Sequence, residues 1–206
     1  MAIGTYDELK TSIANWLARD DLTAKIPDFI TMAEARMSRE MESRAQTKRV
    51  TATCVVGDAY ILLPSDVRSI RNVQVNTTPP TILKYMTPSA LEREYPTTTN
   101  GKPKAFTVIG GEIKFGHAPD STYVIEITYL GGIPTLSAST TTSTILTRHP
   151  DCYLYGSLFN AYAYLMDQAQ TAQFGQLFTI ALEEAKRDED MAKFSTTPVM
   201  QPEYGE

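Results

Sequence analysis

Apolar residues recur along this chain with two different periods, and the change of period divides it. Thr5 and Glu8 stand three apart at a helix start, the spacing of a capping box in which each side chain satisfies a free backbone donor. Tyr6, Leu9, Ile13, Trp16 and Leu17 then fall on one helical face, which predicts a helix ending near Arg19. Asp20 and Asp21 can cap the next helix, and Pro27 suits its first turn. Ile26, Phe29, Ile30, Ala33, Met37 and Met41 form the next stripe, with Glu34, Arg36, Arg39 and Glu40 read as lying off it. The two segments predict an antiparallel helical hairpin.

After about residue 46 the period drops to two. Val50, Ala52, Cys54 and Val56 alternate with Thr51, Thr53 and Val55. Gly57-Asp58 is read as a turn from which Tyr60 to Leu63 returns, Pro64 as a stop, and Val67 to Val75 as another strand. Thr77 to Pro80 reads as a loop, and Thr87-Pro88 as the cap and first position of a short helix ending before Pro96. Phe106 to Ile109 and Glu112 to Phe115 flank Gly110-Gly111, the strongest hairpin signal, because glycine accepts the positive φ of hairpin turns. Tyr123, Ile125, Ile127 and Tyr129 alternate as a last strand.

Residues 135–144 are a polar, Thr-rich connector. Helices are expected to resume around Pro150. Between Asp151 and Asp167 only Ser157 and Asn160 are plainly polar, so this helix is expected to be covered on most sides. The following helix, about 170–193, is amphipathic, with Phe174, Leu177, Phe178, Ala181, Leu182 and Ala185 inward and Glu183, Glu184, Lys186 and Arg187 outward. The end, STTPVMQPEYGE from Ser195, reads as extended chain.

These elements predict an α+β fold. Residues 1–45 and 135–194 supply a helical bundle, residues 46–134 a β-rich insertion with one short helix, and residues 195–206 an extended tail. The two helical ends are expected to pack together, since each has an apolar stripe needing cover.

Composition narrows the function classes. The 206 residues are 42% hydrophobic and 21% charged, as in ordinary globular proteins. The net charge of −5 is uneven: residues 131–206 hold four basic and nine acidic side chains. That balance argues against a dedicated nucleic-acid binder, which presents a basic stripe. No segment reads as a membrane span. The start, MAIGTYDELK, lacks a signal peptide's pattern, so synthesis in the cytoplasm is expected.

Candidate chemistry is sparse. Cys54 and Cys152 are too few for a four-ligand zinc site and read as buried thiols. His117 and His149 have no second ligand at metal-binding spacing. The acidic clusters Asp20-Asp21, Glu92/Glu94 and Asp188-Glu189-Asp190 read as solvated helix ends and faces. None shows the apolar pocket that raises a glycosidase acid's pKa. The expectation is therefore no catalytic, metal or cofactor site and no enzyme activity.

Interaction surfaces are better candidates. Tyr153, Tyr155 and Tyr164 share the apolar helix, and tyrosine is enriched at interfaces, so they are read as subunit-interface residues. Pro198, Val199, Met200, Gln201, Pro202 and Tyr204 in the tail are read as anchors for a neighbour, because twelve extended residues reach about 40 Å.

The motif order as a whole resembles the adaptor, or head-completion and head-to-tail connector, proteins of tailed bacteriophages. The matching stretches are Thr5 to Leu9 with Trp16-Leu17, Ile26 to Ile30 with Ala33 to Arg36, and Leu63 to Asp66. They continue through Thr87-Pro88 with Tyr95-Pro96, Gly101 to Pro103 before the Gly110-Gly111 hairpin, Tyr129 through Pro134, Leu146 to Arg148, Pro150-Asp151 and Leu154 to Gly156. The resemblance implies a virion structural protein at the head–tail junction, made in the host bacterial cytoplasm. It implies a homo-oligomeric ring, commonly of twelve copies, contacting the portal protein and a tail or nozzle protein. Double-stranded genome DNA would pass through the lumen without specific binding. The tail anchors would then reach the portal or a neighbour. The competing readings are a tail-associated cell-wall hydrolase and a tail or baseplate receptor-binding module.

Overall fold

The structure, a computed structural model, describes residues 3–43, 46–96 and 99–193. Its helices are α1 (Tyr6–Leu17), α2 (Ile26–Glu40), α3 (Pro88–Glu94), α4 (Thr144–Arg148), α5 (Pro150–Tyr164) and α6 (Gln168–Lys193). Its strands are β1 (Thr47–Thr53), β2 (Tyr60–Leu62), β3 (Val67–Val75), β4 (Thr81–Ile82), β5 (Lys84–Tyr85), β6 (Ala105–Ile109), β7 (Glu112–Phe115) and β8 (Val124–Gly131). The fold is mixed α+β: N- and C-terminal helices pack together, and two four-stranded sheets lie between them in sequence. The chain divides into two units, one combining residues 1–45 with 133–206 and the other residues 46–132.

The helical unit is organised around α5, which contacts α1, α2, α4 and α6. Local signals set its elements. The capping box at Thr5 and Glu8 is formed, with the Glu8 backbone N–H donating to Thr5 Oγ1 and the Thr5 N–H to Glu8 Oε2. Those bonds hold the Glu8 carboxyl below its usual pKa, the Gly4 N–H contributing most. Asp20 and Asp21 do not cap α2. A 3₁₀ turn over Thr23–Lys25 intervenes, and Asp21 instead pairs with Arg19 at 2.7 Å. The α2 stripe is buried as its spacing requires, from Ile26 through Met41. So is most of the inward face of α6.

Two residues depart from their expected facing. Glu34, read as lying off the α2 stripe, is 2% exposed. It stands four residues after Ile30 and three before Met37, which is on the stripe. Trp16, read as core, is half exposed, and its ring packs edge-on against Tyr155 and Phe174 at the margin. The apolar α5 is covered as expected, with Cys152, Tyr153, Leu158 and Ala161 fully buried. Its Gly156 permits close approach. A Cβ there would lie 2.9 Å from the Phe178 ring of α6 and 3.0 Å from Ala33 of α2. The short α4, not anticipated, is capped by Ser143, whose Oγ accepts from the Leu146 N–H at 3.0 Å.

The β unit has two sheets, with orders β1-β8-β3-β4 and β2-β7-β6-β5. All pairs are antiparallel except β5 with β6. One buried cluster draws on both sheets, including Val73, Ile125 and Ile127 from the first and Phe106, Ile113 and Phe115 from the second. The expected return of Tyr60 to Leu63 along the preceding strand is not made. β1 pairs with β8, and β2 pairs with β7. Residues 54–59 form no strand, a connection long enough to carry the chain from one sheet to the other. The Gly110-Gly111 hairpin is present, with Ile109 opposite Glu112 and Gly110 at φ +61°.

Candidate functional site

The histidines have structural surroundings. In the β unit, His117 Nδ1 lies 3.2 Å from the Thr99 carbonyl, and its ring meets the edge of Tyr95 at 4.7 Å. In the helical unit, His149 sits between α4 and α5, and its side chain makes no capping bond there. Its Nε2 approaches Asp188 Oδ2 at 3.4 Å, and Glu189 adjoins, so three ligand-type atoms lie within 4.8 Å of one another. Sequence spacing does not reveal this group, because α6 brings its carboxylates from forty residues away. Glu189 is already engaged: Ser43 Oγ donates to it at 2.8 Å, and Arg148 donates at 3.2 Å. A guanidinium at that carboxylate opposes an added cation, and the cluster works as a clasp between the α4–α5 junction, α6 and the segment after α2.

Glu189 is 2% exposed, which corrects the reading of its acidic cluster as solvated. A carboxyl in an apolar pocket, not expected from sequence, is also present. Burial pushes Glu34 from 4.5 up to about 7, opposed by the Leu136 N–H that donates to its Oε1 at 2.8 Å. Its Oε2 has no hydrogen-bond partner among the described residues. Such a pKa suits a general acid. A side chain so enclosed offers no substrate access, and among the described residues no second carboxylate is placed opposite it. Its observed work is to hold the connector after β8 onto α2, where Ser38 Oγ also accepts from the Ile133 N–H. Both cysteines are buried, and burial raises their thiol pKa values to about 11 for Cys54 and about 12 for Cys152.

The three interface tyrosines separate. Tyr153 is fully buried in the helical core, its hydroxyl 3.3 Å from Ser143 Oγ, and burial raises its pKa. It has no surface to give a neighbour. Tyr155 is half buried between Trp16 and Phe174. Tyr164 is 57% exposed, with its ring tilted against Phe29. Just after it, Met166 is 88% exposed at the turn into α6. Behind this turn the α5 and α6 faces frame an open apolar groove of about 820 Å³, lined by Phe159, Ala163, Met166, Ala172, Gly175 and Ile180. The tail anchors Pro198, Val199, Met200, Gln201, Pro202 and Tyr204 lie outside the described residues.

A second groove, about 720 Å³, opens within the β unit. Ile70 and Val73 of β3, Ile82, Tyr85 and Val108 line it, with Arg68 and Arg71 at its polar side. Ile82 is 69% and Tyr85 59% exposed. Among the described residues, no helix is long and apolar enough to cross a membrane.

Among the described residues the chain thus offers at least two open apolar grooves, and the buried carboxylates Glu34 and Glu189 serve as clasps. Against known proteins, a family model described as SU10 adaptor protein matches residues 4–202. No curated protein matches the chain.

Proposed function

Because the chain belongs to the SU10 adaptor protein family, a family of phage adaptor proteins with a structural, non-enzymatic role, we propose that it forms a ring between the portal vertex and the tail or nozzle. In this reading the ring holds about twelve copies, sits in the virion, and lets genome DNA through its lumen. The observation that carries the reading is the family match across nearly the whole chain, 4–202. The exposed groove of α5 and α6 supports it. A closed ring needs a heterologous contact, one patch meeting a different patch on the next copy. Met166 and Ile180, both exposed at that groove, provide such an apolar patch, and Tyr164, exposed against Phe29, offers a further aromatic contact. Tyr155, packed between Trp16 and Phe174, is outside that groove's lining, and the tail residues Pro198 to Pro202 with Tyr204 supply a second, strap-like contact to the portal or a neighbour. The acidic C-terminal third favours passage of DNA over retention, because retention depends on cationic contacts to phosphates.

The test is a phage in which this chain is not made. The expected product is heads that carry portal but no tail. Normal tailed particles from that infection would overturn the proposal.

A further inference from the structure

The β unit contains a short open strand edge at the mouth of its groove. In the β6–β7 hairpin, Ile109 faces Glu112 across a two-residue turn, and Thr107 faces Lys114. Alternation in an antiparallel pair then turns the backbone N–H and carbonyl of Phe106 and Val108 away from β7. The Gly116 N–H donating to the Ala105 carbonyl at 3.0 Å fits the same alternation. On the outer side β5 covers only Ala105 and Phe106, and the Phe106 carbonyl accepts from the Met86 N–H at 2.9 Å. Beyond that point, among the described residues, no strand pairs with Val108 on the outer side. Across the groove β4 pairs with Gln74 and Val75 of β3, and the Leu83 N–H after it donates to the Val73 carbonyl at 2.8 Å. The open edge thus centres on Val108, whose N–H and carbonyl face outward, while Thr107 and Ile109 on either side are bonded to β7. Ile82 and Tyr85 stand exposed beside it, and Arg68 and Arg71 are among the residues that line the groove. An edge with these properties is a template for an added strand.

We propose that this groove takes the tail of a second copy of the chain, residues 195–206, as a short added strand. Three features of the tail fit the site. Val199-Met200-Gln201 is a run of three residues with backbone donors between Pro198 and Pro202, enough for its middle residue to exchange both backbone bonds with Val108. Proline at both ends is tolerated in an edge strand and stops further strand addition. Val199 and Met200 are apolar, for the exposed Ile82 and Tyr85 side. The tail's reach of about 40 Å lets it leave its own subunit. The inference rests on the ring reading only for the supply of neighbouring copies.

The test is a phage whose only copy of the chain carries Ile82→Cys with Met200→Cys. Cys54 and Cys152 are buried and stay silent under mild oxidation. The expected result is a ladder of covalently linked chains from oxidised particles, absent with either single variant. Monomeric chains alone, or chains linked to portal protein instead, would overturn the groove assignment while leaving the adaptor reading in place. Absence of the chain from the particle would overturn both. A second measurement covers failed assembly. A fluorescent peptide of residues 195–206 is titrated into the full chain and into a full chain with Ile82→Asp and Tyr85→Ala, both exposed sites. At least a tenfold loss of affinity is expected, with an unchanged melting temperature. No binding to the parent chain, or equal binding to both, would overturn the proposal.

Discussion

Glu34 is the side chain whose surroundings most exceed its sequence signal. Its carboxyl is enclosed, one oxygen holds the Leu136 N–H, and its pKa is raised from 4.5 to about 7 by burial. The unfolded chain releases this proton near pH 4.5 and the folded chain near pH 7, so between them the folded state binds more protons. The group's contribution to stability is therefore best below pH 4.5 and falls as pH rises to 7, by about 3 kcal/mol at most. Glu34→Gln keeps an acceptor for Leu136 and removes the titration. Its stability relative to the parent should rise between pH 5 and pH 7 in denaturant melts. A difference that stays flat with pH would show that the carboxyl does not titrate there. Cys152 makes a simpler prediction. It is fully buried, with its thiol pushed up to about 12. Cys152→Ala should cost about 1–3 kcal/mol through lost packing. Virion assembly at permissive temperature should survive. The sequence did show Cys152 as a buried thiol, because its neighbours on the helix are apolar. Glu34 and Glu189 were misread by residue type, although Ile30-Glu34-Met37 and Leu182-Ala185-Glu189 both have core spacing. What sequence could not supply was the distant partner that makes burial tolerable, Leu136 for one and Arg148 with Ser43 for the other.

Among the elements, α5 decides how closely the helices assemble. Gly156 faces both Ala33 and Phe178, and neither has room to move, since Phe178 is fully buried. Gly156→Ala would gain about 1 kcal/mol in helix propensity. Overpacking against a buried ring and a neighbouring helix costs about 1–3 kcal/mol. The net expectation is a destabilised variant by thermal melt. A raised melting temperature would mean the interface is looser than its geometry. The longer helices and most of their facing were legible from period and caps, because both are local properties; the five-residue α4 and the facing of Trp16 and Glu34 were not. Strand pairing was not. β1 and β2 follow each other with a glycine turn between, yet join different sheets through β8 and β7. Adjacent strands carry the same alternation whichever partner they take, so the pattern marks a strand without naming its neighbour. The two-residue strands β4 and β5 were also invisible, being shorter than any period can register.

For the protein as a whole, the α+β layout was readable from the switch of period, and the adaptor family from the order of many turns and caps. The groove of the β unit was not readable, since it depends on which strand edges remain uncovered after pairing. The proposed ring would meet the portal above and the tail below, in a fixed number of copies. Quantitative mass spectrometry of purified particles from the source phage, calibrated against the portal protein, reads that number. A ratio of this chain to portal near one to one is expected. Absence of the chain from the particle would contradict the ring.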